Sequence, residues 1–596
     1  MTFEGVFDLI GKLASRRRLA IGIAAVMLLL GLCLWIGLAT AKLRNDVLRA
    51  EERAAGAKSS LLQGDASTAR QTARLAIDDL DQARADAGSA PLSWIAAAPI
   101  VGSPIVVVEK MIDVVKQLAT DVLLPIVDSP AATVVAMNGP DRHIDPAALR
   151  AALPALQQSV AAATDVAVAA RDIPRSSYLG AVNHARDDLM RQTADLAAAL
   201  AATNRLAPVL PAMTGADGPR TYLLVFQTNA EARGTGGLMG GTALLRVENG
   251  VVKVEKPASN LLALDYRPID LGADFAKMYG TWNPTSNWQN ANFSPHFPYA
   301  AQIWRSIWSQ YSGVTVDGVI ATDPVALSYL LAGLGPVQLP DGESIDATNV
   351  VPLTQNELYF RFPAENEQLT RKEYLQEISK AVIEAVNKPW ASADGVLDGL
   401  RRAVAEGRIA MWSAVPDEQR ALATLPIAHE VPADSAPYAN VVVNNGAGGK
   451  LDYYLQRDIA YSAAACDGDD RASTVSVKLT NTAPPRDDYP SYVAGRRTPQ
   501  TQYDGPPGTN RSVVSLFATQ GATLERATIN GVPAPFALEA AERGHPTYSV
   551  TVLTRPGESA TVTWNLREPT AAGAARVPVQ PLVLPAKVSV DVPTCP

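Results

Sequence analysis

Histidine and cysteine are scarce in this chain, five and three in 596 residues, and they do not cluster. That excludes a zinc centre built on short Cys/His spacings. Basic residues are outnumbered as well: 52 Lys and Arg against 60 Asp and Glu leave a net charge of −8. An acidic chain of this kind is not expected to bind nucleic acid, whose phosphate backbone calls for a basic face. No Ser/His/Asp or Cys/His arrangement can be read from the spacing, so the sequence offers no nucleophile. Apolar residues are plentiful, 47% against 19% charged, so the chain as a whole is not disordered. Its length exceeds what one core can serve and suggests three or four domains.

A run of 23 positions without charge, Leu19–Ala41, is long enough for a helix to cross the hydrocarbon core, ~30 Å at ~1.5 Å per residue. Lys12 and Arg16–Arg18 precede it, which places residues 1–18 as a cytoplasmic tail and 19–41 as a transmembrane helix. The expected location is the plasma membrane, single-pass, with the bulk of the chain extracytoplasmic. The alternative is a cleaved signal peptide, since Ala39-Thr40-Ala41 fits a small-x-small site; the apolar run exceeds the usual ~7–15 residues. Cys33 falls inside the run. Cys466 and Cys595 form an even pair, as an oxidising compartment favours, with two reduced thiols as the other reading.

Residues 42–206 read as a helical stalk, with apolar residues at three- and four-residue spacing in Thr68–Arg84 and Ser177–Asn204. The apolar stretch Ile105–Val127 carries Glu109, Lys110, Asp113, Lys116 and Asp121, which are costly in lipid, and is expected as an amphipathic helix. Residues 207–426 alternate strands and helices, an α/β domain with a Gly-rich loop: Thr221–Gln227 and Thr242–Glu248 are strands, the latter closed by the turn Asn249-Gly250. Residues 432–596 carry short alternating strands between Pro/Gly turns, a β-sandwich. The fold class is thus multidomain: transmembrane helix, helical stalk, α/β domain and β-sandwich.

Five glycines in the eight residues Gly234–Gly241 follow a buried strand. Such a run, through Gly236 and Gly237, can bring backbone N–H groups to an anion, with Arg220 and Arg233 adding charge and Glu231 orienting an arginine or holding a metal. The alternative is that the glycines let a strand bend and pack tightly. No nucleotide-binding spacing is present. Asp265 is a candidate for Mg²⁺, which needs only one or two carboxylates when phosphate completes the shell. The polar-aromatic stretch Trp282–Tyr299 suits sugar stacking and hydrogen bonding through Trp282, Trp288, Asn292 and His296.

The run Tyr222–Gly237 (YLLVFQTNAEARGTGG) resembles the hallmark of a bacterial family of membrane-anchored envelope proteins of unknown function, and Asn290–Pro298, Val316–Pro324, Gly335–Val337 and Asn481–Pro485 continue the match. The order Asp317–Ala321, helix, Leu334–Val337, Tyr359–Phe362 and Thr370–Gln376 is similar to the LytR–CpsA–Psr transferases, which move glycopolymers from a polyprenyl-pyrophosphate carrier to the cell wall with Mg²⁺. That resemblance implies pyrophosphate contacts by Arg361 and Arg371, assisted by Arg233, with Glu231 or Asp265 serving Mg²⁺ and catalysis. The family's Ser-Ile-Pro-Arg-Asp run is absent, and Arg371-Lys372 stands where it has Arg-Gln. The resulting expectation is an envelope protein that binds, or transfers, a polyprenyl-pyrophosphate-linked glycan. The second reading is a non-catalytic scaffold whose partners are glycan, cell-wall polymer or envelope proteins.

Overall fold

A computed structural model describes residues 38–57, 59–60, 65–98, 100–129, 144–255, 258–259, 265–388, 390–495, 505–535 and 538–595. The expected cytoplasmic tail, Cys33 and most of the apolar run 19–41 lie outside the described residues. Among the described residues no helix is long and apolar enough to cross a membrane. The expected transmembrane helix and single-pass location are corrected accordingly: residues 38–41, the described end of the run, are part of a helical stretch, 38–57, that is mostly exposed, with Asp46, Ala50 and Ala57 buried.

The chain divides into two compact units. The first is helical, and besides 38–57 it contains helices at Ala66–Ala87, Ser103–Gln117, Pro146–Arg171 and Gly180–Leu206. Asp65 and Asp145 cap two of them by accepting from backbone N–H groups. Three of the charges in Ile105–Val127 pair within the unit: Glu109 and Asp113 with Arg84, at 3.5 and 2.8 Å, and Lys116 with Asp81 at 2.5 Å. Val107 and Val114 turn the other way, into a core with Val166 and Ala170.

The second unit, Val209–Pro596, joins the α/β sheet to the β-sandwich. The sheet contains β1 (Arg220–Arg233), β2 (Gly236–Glu248), β3 (Val251–Val254), β4 (Ala258–Ser259), β5 (Gly318–Thr322) and β6 (Ala410–Ser413). Its order is β3-β2-β1-β5-β6, with β4 beside β2. Only β1 and β5 are parallel, joined through a helical crossover. Asn249 and Gly250, both at positive φ, close the β2–β3 hairpin. Alternate β1 residues face opposite ways. Leu223 and Val225 pack on α1 (Phe297–Ser312), whereas Leu224 and Phe226 face the side of α2 (Pro324–Leu334) and α3 (Gln368–Val386).

The sandwich packs a six-stranded sheet against a four-stranded one. Val475, Val477 and Leu479 alternate inward along Asp470–Asn481 and meet Val514, Leu516, Val550 and Trp564. Cys466 and Cys595 are disulfide-bonded, tying the chain end to the strand neighbourhood of Leu455–Ala463.

Candidate functional site

The β1–β2 ladder breaks between Thr228 and Ala232, leaving Asn229–Glu231 without cross-strand partners. Side chains supply what the ladder does not. Gln355 accepts from the Ala230 N–H at 3.1 Å, and Asp452 accepts from the Ala232 N–H at 2.8 Å. Asn229 donates to the Asp323 carboxylate and the Pro581 carbonyl. The bulge therefore points the hallmark side chains toward the sandwich.

Glu231 is buried there, accepting from Arg233 at 3.0 Å and from Lys450 at 2.6 Å. Burial pushes its carboxyl up, but Lys450 and Arg233 together outweigh that and hold it below its ordinary value. The Lys450 ammonium is held high by Glu231 despite its own burial, and it faces the rings of Tyr359 and Tyr492. Arg371 lies over Tyr492 from another side and donates to the Phe362 and Ala364 carbonyls. Arg233, Glu231, Lys450, Tyr492 and Arg371 thus form one connected series. Arg220 stands at the opposite end of β1, paired with Glu418 and Asp317, and Arg361 is paired with Glu343 on the surface. The four arginines named for phosphate do not converge in one cleft.

The glycines of the segment fall into two groups. A Cβ on Gly234 would lie 2.2 Å from the Phe293 carbonyl oxygen, and one on Gly237 would lie 2.4 Å from that of Thr228. Gly236, at φ +128°, sits against Pro581. These three serve backbone packing. Gly240 and Gly241 have room beside them and line a cavity instead.

In the stretch Trp282–Tyr299, Trp282 alone of the four residues named for glycan is open, 47% exposed. Asn292 donates to Thr235 and the Gly237 carbonyl, Trp288 is in the core, and His296 accepts from the Val431 N–H through Nδ1. Burial, with Arg543 nearby, keeps His296 well below its ordinary pKa, so it is neutral. Asp265 is exposed, and among the described residues no three His, Cys, Asp or Glu side chains stand together as a metal cage. Glu231 has both oxygens occupied, by Arg233 and Lys450.

The cavity, about 300 Å³, lies between β1–β2 and the helices α2 and α3, at the lower end of the ~300–1,000 Å³ range of ligand clefts. Residues Lys372, Gln376, Ser379, Ile383 and Val386 recur at helical spacing on one face of α3 and line it. Leu375, Ile378 and Val382 line it too, so apolar residues run the length of the face, and the polar ones, Lys372, Gln376 and Ser379, all fall before Val382. Lys372 is half-buried, its ammonium pKa lowered by burial, and among the described residues it has no carboxylate within ion-pair distance. Sequence reasoning named Lys372 only as a departure from the resemblance and Gly241 only within the glycine run, and it passed over Lys450. The period of α3 carried a signal for the first; nothing local marks Lys450, whose partner is far away in sequence.

Fold and site together define a class: an α/β sheet with an apolar pocket under one helix, braced along its central strand by a β-sandwich. Residues 217–359 match the family model described as "Protein of unknown function (DUF4012)". The match covers the hallmark bulge and the strands walling the cavity, and stops short of α3 and the sandwich. No curated protein matches the chain.

Proposed function

We propose that the α/β sheet binds a lipid by its apolar chain, with an anionic head at the Lys372 end of the cavity, and that the ligand is a glycan on a polyprenyl-pyrophosphate carrier. The observation that carries this reading is the polarity gradient along α3, from Lys372 and Gln376 to Ile383 and Val386 around an apolar void. Each methylene taken into such a void is worth ~0.8 kcal/mol. An ammonium without a counter-ion beside it favours a phosphate oxygen. The resemblance of residues 317–376 to LytR–CpsA–Psr transferases supports the choice of carrier. The proposal is of binding, and no transfer step is part of it.

Titration of the full chain with farnesyl pyrophosphate and with farnesol, followed by calorimetry, tests it. Saturable binding of the pyrophosphate is expected, weakened about tenfold by Lys372→Met, with farnesol indifferent to that change. Absence of saturable binding by the folded protein overturns the reading.

A further inference from the structure

A second concavity, about 770 Å³, lies between α1 and the segment Arg267–Asp270, beside Trp412 of the edge strand β6. It is separate from the apolar cavity by strand alternation. Val319 and Trp412 are cross-strand partners packed on the α1 side of the sheet, whereas Thr322 and Phe226 are partners lining the cavity on the other.

Two arginines reach this groove, and both are positioned by the fold. Arg305 donates through Nε to the Val316 carbonyl at 2.8 Å, which leaves its two Nη groups for other acceptors. Gln310 grips the Arg267 backbone twice, accepting from its N–H at 2.9 Å and donating to its carbonyl at 3.1 Å. Among the described residues neither guanidinium has a carboxylate within ion-pair distance, although the protein is acidic overall. Asp270 also lines the groove, with Oδ1 engaged by the Gly272 N–H. Gln302, Ser306 and Thr315 add neutral donors and acceptors.

We infer that this groove binds an anionic oligosaccharide, one bearing sulfate, phosphate or carboxylate groups. Planar guanidinium forks match such oxyanions, and the amide and hydroxyl side chains match sugar hydroxyls. The volume exceeds what a single oxyanion needs, and the lining lacks the continuous apolar wall that a lipid or a stacked base requires.

The test is binding of a sulfated heparin tetrasaccharide to the full chain, beside its desulfated counterpart and inorganic sulfate. Saturable binding of the sulfated tetrasaccharide is expected, falling about tenfold in Arg267→Gln and in Arg305→Lys and unchanged in Lys372→Met. Arg267 is exposed and its grip is made by backbone, so Arg267→Gln retains the fold; an unaltered thermal transition verifies this. Equal binding of the desulfated sugar overturns the role of the arginines, and equal binding of inorganic sulfate overturns the saccharide. Insensitivity to both arginine substitutions, loss in Lys372→Met, or no binding by folded protein overturns the site. Because the probe and the arginine variants differ from those for the lipid cavity, failure of one reading leaves the other standing.

Discussion

Glu231 and Lys450 are 219 residues apart in sequence and 2.6 Å apart in the fold. The pair is shut away from water, with Arg233 on the other carboxylate oxygen. Removing Glu231 leaves the buried Lys450 ammonium uncompensated, whereas removing Lys450 leaves Glu231 still paired with Arg233. Glu231→Gln is therefore expected to destabilise the protein by ~3–5 kcal/mol in urea unfolding, Lys450→Met by less, and the two combined by less than the sum of the singles. Additive losses would show that the pair acts as two independent contacts.

Glu542 gives a pH dependence. Its carboxyl is buried at the head of a sandwich hairpin, accepting from Ser294 and Tyr279 at 2.7 Å each, and burial pushes its pKa up to about 7. The folded state thus holds a proton that the unfolded state releases near pH 4.5. Stability from this group is complete below that pH and is lost as pH rises toward 7, by ~3 kcal/mol at most. The difference in unfolding free energy between wild type and Glu542→Gln should shift in favour of Gln from pH 5 to pH 8. A difference independent of pH would refute the assignment.

Gly237 and Gly241 separate packing from cavity. Gly237→Ala forces a Cβ onto the Thr228 backbone and should cost about 1–3 kcal/mol by thermal unfolding. At Gly241 the nearest atom to an added Cβ is Phe226 Cδ2 at 3.8 Å, so Gly241→Leu should fold with little loss. It should reduce binding of both farnesyl pyrophosphate and farnesol, because its side chain fills the void.

The disulfide closes a loop with a sequence separation of 129, for which loop-closure entropy predicts ~5 kcal/mol. Reduction should lower the thermal midpoint, and amide exchange should rise first in Lys587–Asp591, the strand paired parallel to Leu455–Ala463 at the sheet edge. Unchanged protection of that strand under reduction would mean that its ladder suffices.

Features set by local chemistry were legible in the sequence. The apolar run Thr221–Gln227 is central in its sheet, Asn249-Gly250 turns its hairpin, and the alternation in Ser473–Leu479 marks a strand with one face inward. Features set by distant partners were not. A glycine count cannot separate a cradle of N–H groups from backbone pressed on backbone, because the atoms that decide, at Phe293 and Thr228, belong to other stretches. Polar and aromatic content made Trp282–Tyr299 look suited to a sugar, yet Asn292 and His296 spend their hydrogen bonds inside. Arg361 and Arg371, ten residues apart, are each engaged by a partner of their own, Glu343 and the Phe362 carbonyl.

The bulge in β1 has a bearing on synthesis. Its Asn229 is completed by the carbonyl of Pro581, 352 residues later, and the Arg233 carbonyl is completed by Gln580. A ribosome thus delivers the central strand of the sheet long before the groups that satisfy it. With domains otherwise folding in order of emergence, β1 begins early and closes late, so the nascent chain carries an open polar seam until Gln580 and Pro581 emerge.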